Sequence, residues 1–423
     1  MNKSLRFVTI SISILLIILN LSIAVYYCFH KTVLPVGDEN FFLGELITFQ
    51  NNGWWRAFAE GMSYPYIALL SLLVSTFNLS ALFSLRLTSL LATILFFISI
   101  YFILKRQISN KPIRWLALLT ITHIVATLQF YYSGINDYLF ILFLLWSFEF
   151  ALSYKQQNKY SYLIYAFLML TLGWLTRPMA IMYLPGLLLI IFWKNTSWSA
   201  LFKILRSAVP SIVLFIIVQL PAIITHKEFR FEDKNPKDLP YNWAQRQYVA
   251  QIMYEEGTLP PTDWATWEDV ENYLSLHGSN SLPRSTSETL LWDIGRTFRE
   301  FIKDSITSWR YILRFGGVFI LFIIPVFIKK NKFVLSGDLP FFLSVTGVYI
   351  VFLFSFIILT NVEVRWLTLP LTFIIWATST KFEDAIKSNN AFQWLMIVQL
   401  LLLAYSTINY FLTLPDTIQF IQQ

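Results

Sequence analysis

Charged residues are scarce in this chain of 423 residues: they make up 13%, whereas hydrophobic residues make up 56%. Soluble domains carry about 25% charged residues, so a water-soluble globule of this size would lack polar surface. The single cysteine, Cys28, excludes a disulfide framework or a cysteine-based metal cluster within one chain. Glycine and proline are also few, 14 and 16 residues, which excludes a collagen-like or disordered chain. The composition therefore predicts a polytopic membrane protein, helical rather than a β-barrel.

Long apolar runs predict about eleven transmembrane helices, because a span needs about 20 mostly apolar residues. The candidate spans are 7–29, 84–104, 114–132, 137–153, 161–176, 179–193, 207–224, 312–328, 339–360, 365–380 and 391–412. The run 64–80 is ambiguous, since it is short and begins with Tyr64-Pro65. The predicted fold class is an all-α polytopic membrane protein.

Positive charges indicate how these spans are oriented. Lysine and arginine cluster in six connections: Lys3 and Arg6; Lys105, Arg106, Lys111 and Arg114; Lys155 and Lys159; Lys194, Lys203 and Arg206; Lys329, Lys330 and Lys332; Lys381 and Lys387. Such loops stay on the cytoplasmic side. All six fall on one side only if 64–80 does not cross, so we predict a re-entrant or surface-lying segment there. The N-terminus is then cytoplasmic, and the net charge of +7 reflects topology rather than nucleic-acid binding.

This topology divides the chain into three regions. Residues 1–224 form a seven-span core with a first outer loop at 30–83, residues 225–311 form a large outer loop, and residues 312–423 form four C-terminal spans.

Within the large loop, Ser285 and Glu288 have capping-box spacing, and apolar residues recur at helical spacing from Leu290 to Trp309. This pattern predicts one amphipathic helix along the membrane surface. Three tryptophans of the loop are candidates either for stacking on sugars or for structural packing: Trp243, Trp264 and Trp267.

The rare ionisable residues of the predicted outer face are candidates for a functional site. They come from separate outer segments: Asp38, Glu39, Arg86, Asp137, Arg177 and Arg365. Each alone could be a loop charge or an anchor in the headgroups. Together they suit a lipid phosphate, because arginine binds phosphate through two parallel hydrogen bonds. A nearby carboxylate can also accept the proton of a hydroxyl group.

The order of these motifs resembles the GT-C superfamily of membrane glycosyltransferases, especially the branch of protein O-mannosyltransferases and lipid A aminoarabinose transferases. The matching elements are the acidic pair Asp38-Glu39, the proline-led segment from Ser63 through Tyr64-Pro65 to Leu70, the Arg86-Leu87 pair, Asp137 at the end of an outer loop, the turn Leu175-Thr176-Arg177-Pro178, and Arg365-Trp366-Leu367-Thr368-Leu369-Pro370. The resemblance covers roughly 1–224 and 361–370. This sequence departs from the family at Arg177, where lysine is more common.

The resemblance implies transfer of a sugar from a polyprenyl-phosphate donor, such as undecaprenyl phosphate, to an acceptor hydroxyl at the outer face, with inversion. Asp38 and Glu39 would be the catalytic pair, with Asp38 as general base. The implied donor-phosphate ligands are Arg86, Arg177 and Arg365, and Asp137 and Tyr64 would position substrate. The acceptor stays open between a glycan, a lipid such as lipopolysaccharide, and a protein. No cofactor is predicted, and a divalent metal stays open because relatives differ in using one.

Other functions stay open from the residues alone. A flippase for a lipid-linked sugar would also need outer arginines and many spans, but no inverted repeat is visible, and Glu149 is the one carboxylate placed deep in a span. An O-antigen polymerase or ligase would leave Asp38-Glu39 unexplained. A scaffold would leave the collected outer charges unexplained. The lack of a eukaryotic targeting signal favours a bacterial inner membrane.

Overall fold

The fold is built almost entirely from helices. A computed structural model describes residues 3–30, 34–35, 37–127, 133–193, 197–232, 235, 239–260, 263–329, 332–333, 338–357, 362–388 and 393–422. Within these ranges the strands are β1 (Ile328–Lys329) and β2 (Lys332–Phe333), which form a two-residue antiparallel hairpin. The all-α fold class predicted from composition is therefore confirmed.

The helices follow one another with short connections. They are α1 (Lys3–His30), α2 (Asp38–Ala59), α3 (Tyr64–Phe77), α4 (Ala81–Gln107), α5 (Lys111–Thr127), α6 (Asp137–Gln157), α7 (Tyr160–Thr176), α8 (Leu184–Phe192), α9 (Trp198–His226), α10 (Trp243–Glu255), α11 (Trp267–His277), α12 (Thr286–Trp292), α13 (Ile294–Gly316), α14 (Ile323–Phe327), α15 (Leu339–Ile357), α16 (Thr368–Ser388) and α17 (Gln393–Gln422). Short 3-10 segments precede α8, α14 and α16, at Pro178–Tyr183, Gly317–Phe322 and Val364–Leu367.

The predicted spans fall largely on these helices. Among the described residues, five segments are long and apolar enough to cross a membrane by length and composition: Ala81–Gln107, Asp137–Gln157, Leu201–His226, Ile294–Phe327 and Leu339–Phe356. Shorter apolar helices account for other predicted spans, including Tyr160–Thr176 and Pro178–Phe192. The ends of three predicted spans, at 128–132, 358–360 and 391–392, lie outside the described residues. A multi-pass membrane protein is thus supported, and its orientation stays a prediction.

The first predicted outer loop, 30–83, is mostly helical in its described part. It contains α2 and α3, and α3 packs against α2, α4 and α7. The side chains of Tyr66, Ile67 and Leu70 on α3 are fully buried in the large hydrophobic core. The ambiguous run 64–80 is therefore part of the packed body of the protein. That it does not cross the membrane stays a prediction.

The second predicted outer loop has a small core of its own. Helices α10 and α11 bury Tyr248, Val249, Val270 and Leu282 together, separately from the main core. Ser285 caps α12, because its hydroxyl accepts a hydrogen bond from the backbone N–H of Glu288 at 3.1 Å. The reciprocal half of the predicted capping box differs, since Glu288 accepts from the N–H of Arg284 at 2.7 Å.

The prediction of one helix from Leu290 to Trp309 is wrong, because the chain breaks at Asp293. This residue has an extended backbone (φ −138°, ψ 96°), and its carboxylate accepts a hydrogen bond from the N–H of Arg296 at 2.9 Å. It therefore starts a new helix, α13. Apolar periodicity continues across the break and does not reveal it. Helix α13 runs on towards the predicted span 312–328, with Phe298 and Ile302 exposed and Thr297 and Asp304 buried.

Candidate active site

The acidic pair Asp38-Glu39 lies in the first turn of α2. Gly37 precedes it with φ +59°, a left-handed conformation that glycine adopts without a steric penalty. Carboxylates are favoured at this end of a helix by the helix dipole. The two side chains differ in environment: Glu39 is 0% exposed, whereas the Asp38 side chain is 27% exposed. The two neighbouring carboxylates are therefore not equivalent.

Glu39 holds Arg86 in a buried two-point ion pair. Arg86 on α4 donates from Nε to Oε1 at 3.0 Å and from Nη2 to Oε2 at 2.9 Å. The backbone N–H of Gly134 adds a hydrogen bond to Oε1 at 2.8 Å. A Cβ on Gly134 would come within 2.5 Å of the Leu85 side chain, so only glycine allows this approach. The Glu39 carboxylate thus joins α2, α4 and the connection before α6.

Removing the Glu39 charge should destabilise the protein strongly. Glu39→Gln leaves the Arg86 guanidinium buried without its counter-ion, which costs about 3–5 kcal/mol for a broken buried pair. We expect a clear fall in the apparent Tm of the full chain in detergent, measured by intrinsic fluorescence. Glu228→Gln is the matched control, because its pair with Arg230 is half exposed and such pairs contribute about 0–1 kcal/mol. Equal Tm values for both variants would contradict this assignment.

Asp38, Asp137, Arg177 and Arg365 form a continuous chain of ion pairs. Arg365 lies at the centre: its Nη2 is 3.2 Å from Oδ2 of Asp38, and its Nη1 is 3.2 Å from Oδ2 of Asp137. Arg177 donates from Nη1 to the other oxygen of Asp137, and Glu363 also pairs with Arg365. Residues from α2, α6, the α7 end and the 3-10 segment before α16 therefore converge at one point.

Helix ends explain why these side chains converge. Asp137 is the first residue of α6, and Arg177 is the residue that follows the last turn of α7. Burial lowers the pKa of Arg177, and the nearby positive charge of Arg365 acts in the same direction. Two guanidinium groups thus lie close together in a buried place, where the carboxylates of Asp38, Asp137 and Glu363 compensate their charge.

Asn136 and Glu232 extend this centre and were not predicted from the sequence. Asn136 Nδ2 lies within hydrogen-bond distance of the Ser63 hydroxyl, the Thr176 carbonyl and Oε2 of Glu232, at 2.8 to 3.0 Å. Glu232 lies after α9, far along the chain from any motif. Its negative charge acts on Arg177. The sequence offered one indication of these residues, because Asn136 directly precedes the predicted site residue Asp137.

Tyr64 lies beside this network without joining it in the described contacts. Its hydroxyl is 3.1 Å from the carbonyl oxygens of Phe58 and Arg230. The neighbouring Ser63 donates to the Thr176 carbonyl at 2.8 Å. Tyr64 thus fixes the start of α3 against the segment after α9.

Two open cavities are lined by residues that follow α9. The larger one, about 890 Å³, is bounded by one side of α2, including Asn40, Phe41 and Glu45. The second, about 560 Å³, includes Arg177 and Glu232 in its lining. Both cavities include Asn235 in their lining, so they are neighbours.

Glu149, predicted to lie deep in a span, pairs with Arg106 on α4. Among the described residues, no group of three or more His, Cys, Asp and Glu side chains could hold a metal ion. Within that part of the chain there is therefore no candidate ligand set for a divalent metal.

Comparison with known proteins supports the sequence-based resemblance. Residues 61–224 match the model of the dolichyl-phosphate-mannose-protein mannosyltransferase family. This segment contains Arg86, Asp137 and Arg177, whereas Asp38-Glu39 and Arg365 lie outside it. A comparison with curated proteins gave no match. For residues 61–224 the family match confirms the predicted resemblance to GT-C membrane glycosyltransferases.

Proposed function

We propose that this protein is a membrane glycosyltransferase that moves a sugar from a polyprenyl-phosphate donor to an acceptor hydroxyl, with inversion. The observation that carries this proposal is the position of Arg365, which bridges Asp38 to the Asp137–Arg177 pair. A carboxylate able to take a proton thus lies next to two arginines able to take a phosphate. The match of residues 61–224 to a sugar-transferring membrane family supports the same reaction class.

Asp38 is the general base in this proposal. It is the more exposed carboxylate of the acidic pair, so an acceptor can reach it. As the acceptor oxygen forms its bond to the anomeric carbon, its proton passes to Asp38. The bond between that carbon and the phosphate oxygen breaks, and its electron pair leaves with the polyprenyl phosphate. One displacement inverts the anomeric centre, so no covalent enzyme intermediate is needed.

Arg365 and Arg177 stabilise the negative charge that develops on the leaving phosphate. In the structure their guanidinium groups are held by Asp38, Asp137 and Glu363. A phosphate that enters between them would take over part of this pairing and release the Asp38 carboxylate to act as a base. Asp137 keeps both arginines oriented through its two oxygens.

Glu39, Arg86 and Tyr64 act as positioning residues in this proposal. Glu39 places the first turn of α2, and hence Asp38, through its bonds to Arg86 and Gly134. The Arg86 guanidinium also donates to the carbonyl of Leu34 at 3.2 Å. Its predicted contact with the donor phosphate would require it to share these partners. Tyr64 orients the start of α3 beside the larger cavity.

The reaction site is placed at the outer face of a bacterial inner membrane in this proposal. The positive-inside pattern supports that placement, because the lysine and arginine clusters lie in the connections opposite to Asp38 and Arg177. The acceptor is a glycan, a lipid or a protein that carries a free hydroxyl.

A transfer assay tests the proposed function. The full chain, reconstituted in lipid, is incubated with a panel of polyprenyl-phosphate sugars and with an envelope extract as acceptor source. We expect one donor to be consumed, with polyprenyl phosphate released and a product heavier by one sugar in mass spectrometry. Absence of transfer and of donor hydrolysis with every donor, together with movement of the donor between leaflets, would instead indicate a lipid-linked sugar transporter.

A further inference from the structure

The cavity beside Arg177 lies where the outer segment meets the membrane core. Its volume is about 560 Å³, within the range of small-molecule sites. Arg177, Pro178 and Met179 line it from the turn after α7. Residues 242–244 and 284–285 line it from the start of α10 and of α12. The cavity therefore borders the proposed reaction centre on one side and a region outside the family match on the other.

Trp243 gives this cavity a rigid aromatic surface. Its backbone N–H donates to Oδ1 of Asn235 at 2.6 Å. Its ring packs against Trp264 with a centroid distance of 5.4 Å, and the Arg246 guanidinium lies 4.9 Å from the ring centre. Arg246 is itself held between Trp243 and Trp267 and bonds to the Ala265 carbonyl. The indole is thus fixed before any ligand binds, which lowers the entropic cost of binding.

Charged side chains line the same cavity as the indole. Glu232 accepts a hydrogen bond from Asn136 through Oε2, and it lies beside Arg177. Arg284 also lines the cavity, with its guanidinium anchored by Asn280 at 2.6 Å. A cavity lined by an indole ring, a carboxylate and guanidinium groups can bind a pyranose. Such a sugar has an apolar C–H face and a rim of hydroxyl groups.

We propose that this cavity is a sugar-binding subsite in which Trp243 packs against a pyranose ring and the Glu232 carboxylate accepts hydrogen bonds from the hydroxyl groups of the sugar. The inference rests on the proposed function, which it extends by giving a region outside the family match a role in sugar recognition. The sugar is that of the donor lipid or that of the acceptor. Both have the same ring chemistry.

Binding measurements on the full chain in nanodiscs separate these two sources. The probes are polyprenyl-phosphate mannose, polyprenyl-phosphate glucose, bare polyprenyl phosphate, and methyl mannoside and methyl glucoside added on top of saturating bare lipid. The variants are Trp243→Ala and Trp243→Phe, with Trp54→Ala as control, since Trp54 is exposed on α2 and lies outside this cavity. The apparent Tm of each variant reports whether it folds.

If the donor sugar occupies the subsite, the wild type binds one glycosylated lipid more tightly than the bare lipid. Trp243→Ala should then reduce that preference about tenfold, with binding of bare lipid unchanged. If the acceptor sugar occupies it, the same loss appears for the methyl glycosides. Trp243→Phe should keep most of the preference, and Trp54→Ala all of it.

Two results would overturn the subsite. One is a wild type that binds no sugar-bearing probe beyond bare lipid. The other is a folded Trp243→Ala variant that keeps every sugar preference. A protein that binds sugar through Trp243 but transfers none in the assay above would refute the proposed glycosyltransferase and leave the subsite standing.

Discussion

Replacing Asp38 with Asn should abolish sugar transfer and leave binding of the donor lipid intact. Asn has nearly the same shape and can still accept the hydrogen bond from Nη2 of Arg365, now 3.2 Å from the carboxylate. It cannot accept a proton from the acceptor hydroxyl. Loss of a general base typically costs about 10²- to 10⁴-fold in rate. The measurement is the initial rate of transfer by the full chain at saturating donor, with donor affinity determined in parallel.

Asp384→Asn is the matched control for that experiment. Asp384 is an exposed carboxylate on α16, so the same chemical change should leave the transfer rate within twofold of the wild type. An Asp38→Asn variant that transfers sugar at the wild-type rate would remove Asp38 as the base. A variant with lower donor affinity but an unchanged maximal rate would indicate that Asp38 binds substrate instead.

Replacing Arg365 with Ala should lower both donor binding and the rate of transfer. The guanidinium is the centre of the ion-pair chain, since it contacts Asp38, Asp137 and Glu363. Without it, the leaving phosphate loses a charge-stabilising donor, an effect of about 10²- to 10³-fold on the rate. Arg365→Lys keeps the charge but loses the two-point geometry, so we expect an intermediate rate.

Affinity for bare polyprenyl phosphate distinguishes a phosphate ligand from a purely structural arginine. Arg365→Ala removes the partner of three carboxylates and should itself lower the apparent Tm, so Arg365→Lys, which keeps the charge, is the decisive variant. A phosphate ligand predicts weaker lipid binding in Arg365→Lys while its apparent Tm stays near that of the wild type. Arg310→Ala is the control, because Arg310 is exposed on α13. Unchanged lipid affinity and unchanged transfer in a folded Arg365→Ala variant would contradict the assignment.

Asp38 and Glu39 are adjacent and chemically alike, but their surroundings in the structure differ. Both begin α2, and a sequence motif treats them as one pair. Glu39 is enclosed and receives hydrogen bonds from Arg86 and Gly134, so its charge is fully compensated. Asp38 keeps a partly exposed carboxylate at the edge of the site. A group that must change its protonation state during turnover needs such access, and Asp38 has it.

Local sequence patterns predicted much of the helical architecture. Apolar runs indicate helices because a buried or lipid-facing backbone must satisfy its own hydrogen bonds, and this requirement acts within each segment. The break at Asp293 escaped the same reasoning, because apolar spacing continues through it and a single capping side chain ends one helix and begins another. The small core of α10 and α11 was not predicted either, although Val270, Tyr273 and Leu274 recur at helical spacing.

The sequence by itself determined that this is a helical membrane chain, and it predicted that the rare ionisable residues of the candidate site lie on one face. It did so because scarcity of charge and length of apolar runs are properties of the chain alone. Only the tertiary structure decided which charges pair. Arg365 and Asp38 are 327 residues apart, and Glu39 rather than its neighbour takes Arg86. Such pairing depends on where helix ends meet in space, because the electrostatic attraction between two charged side chains depends on the distance between them and on how deeply they are buried.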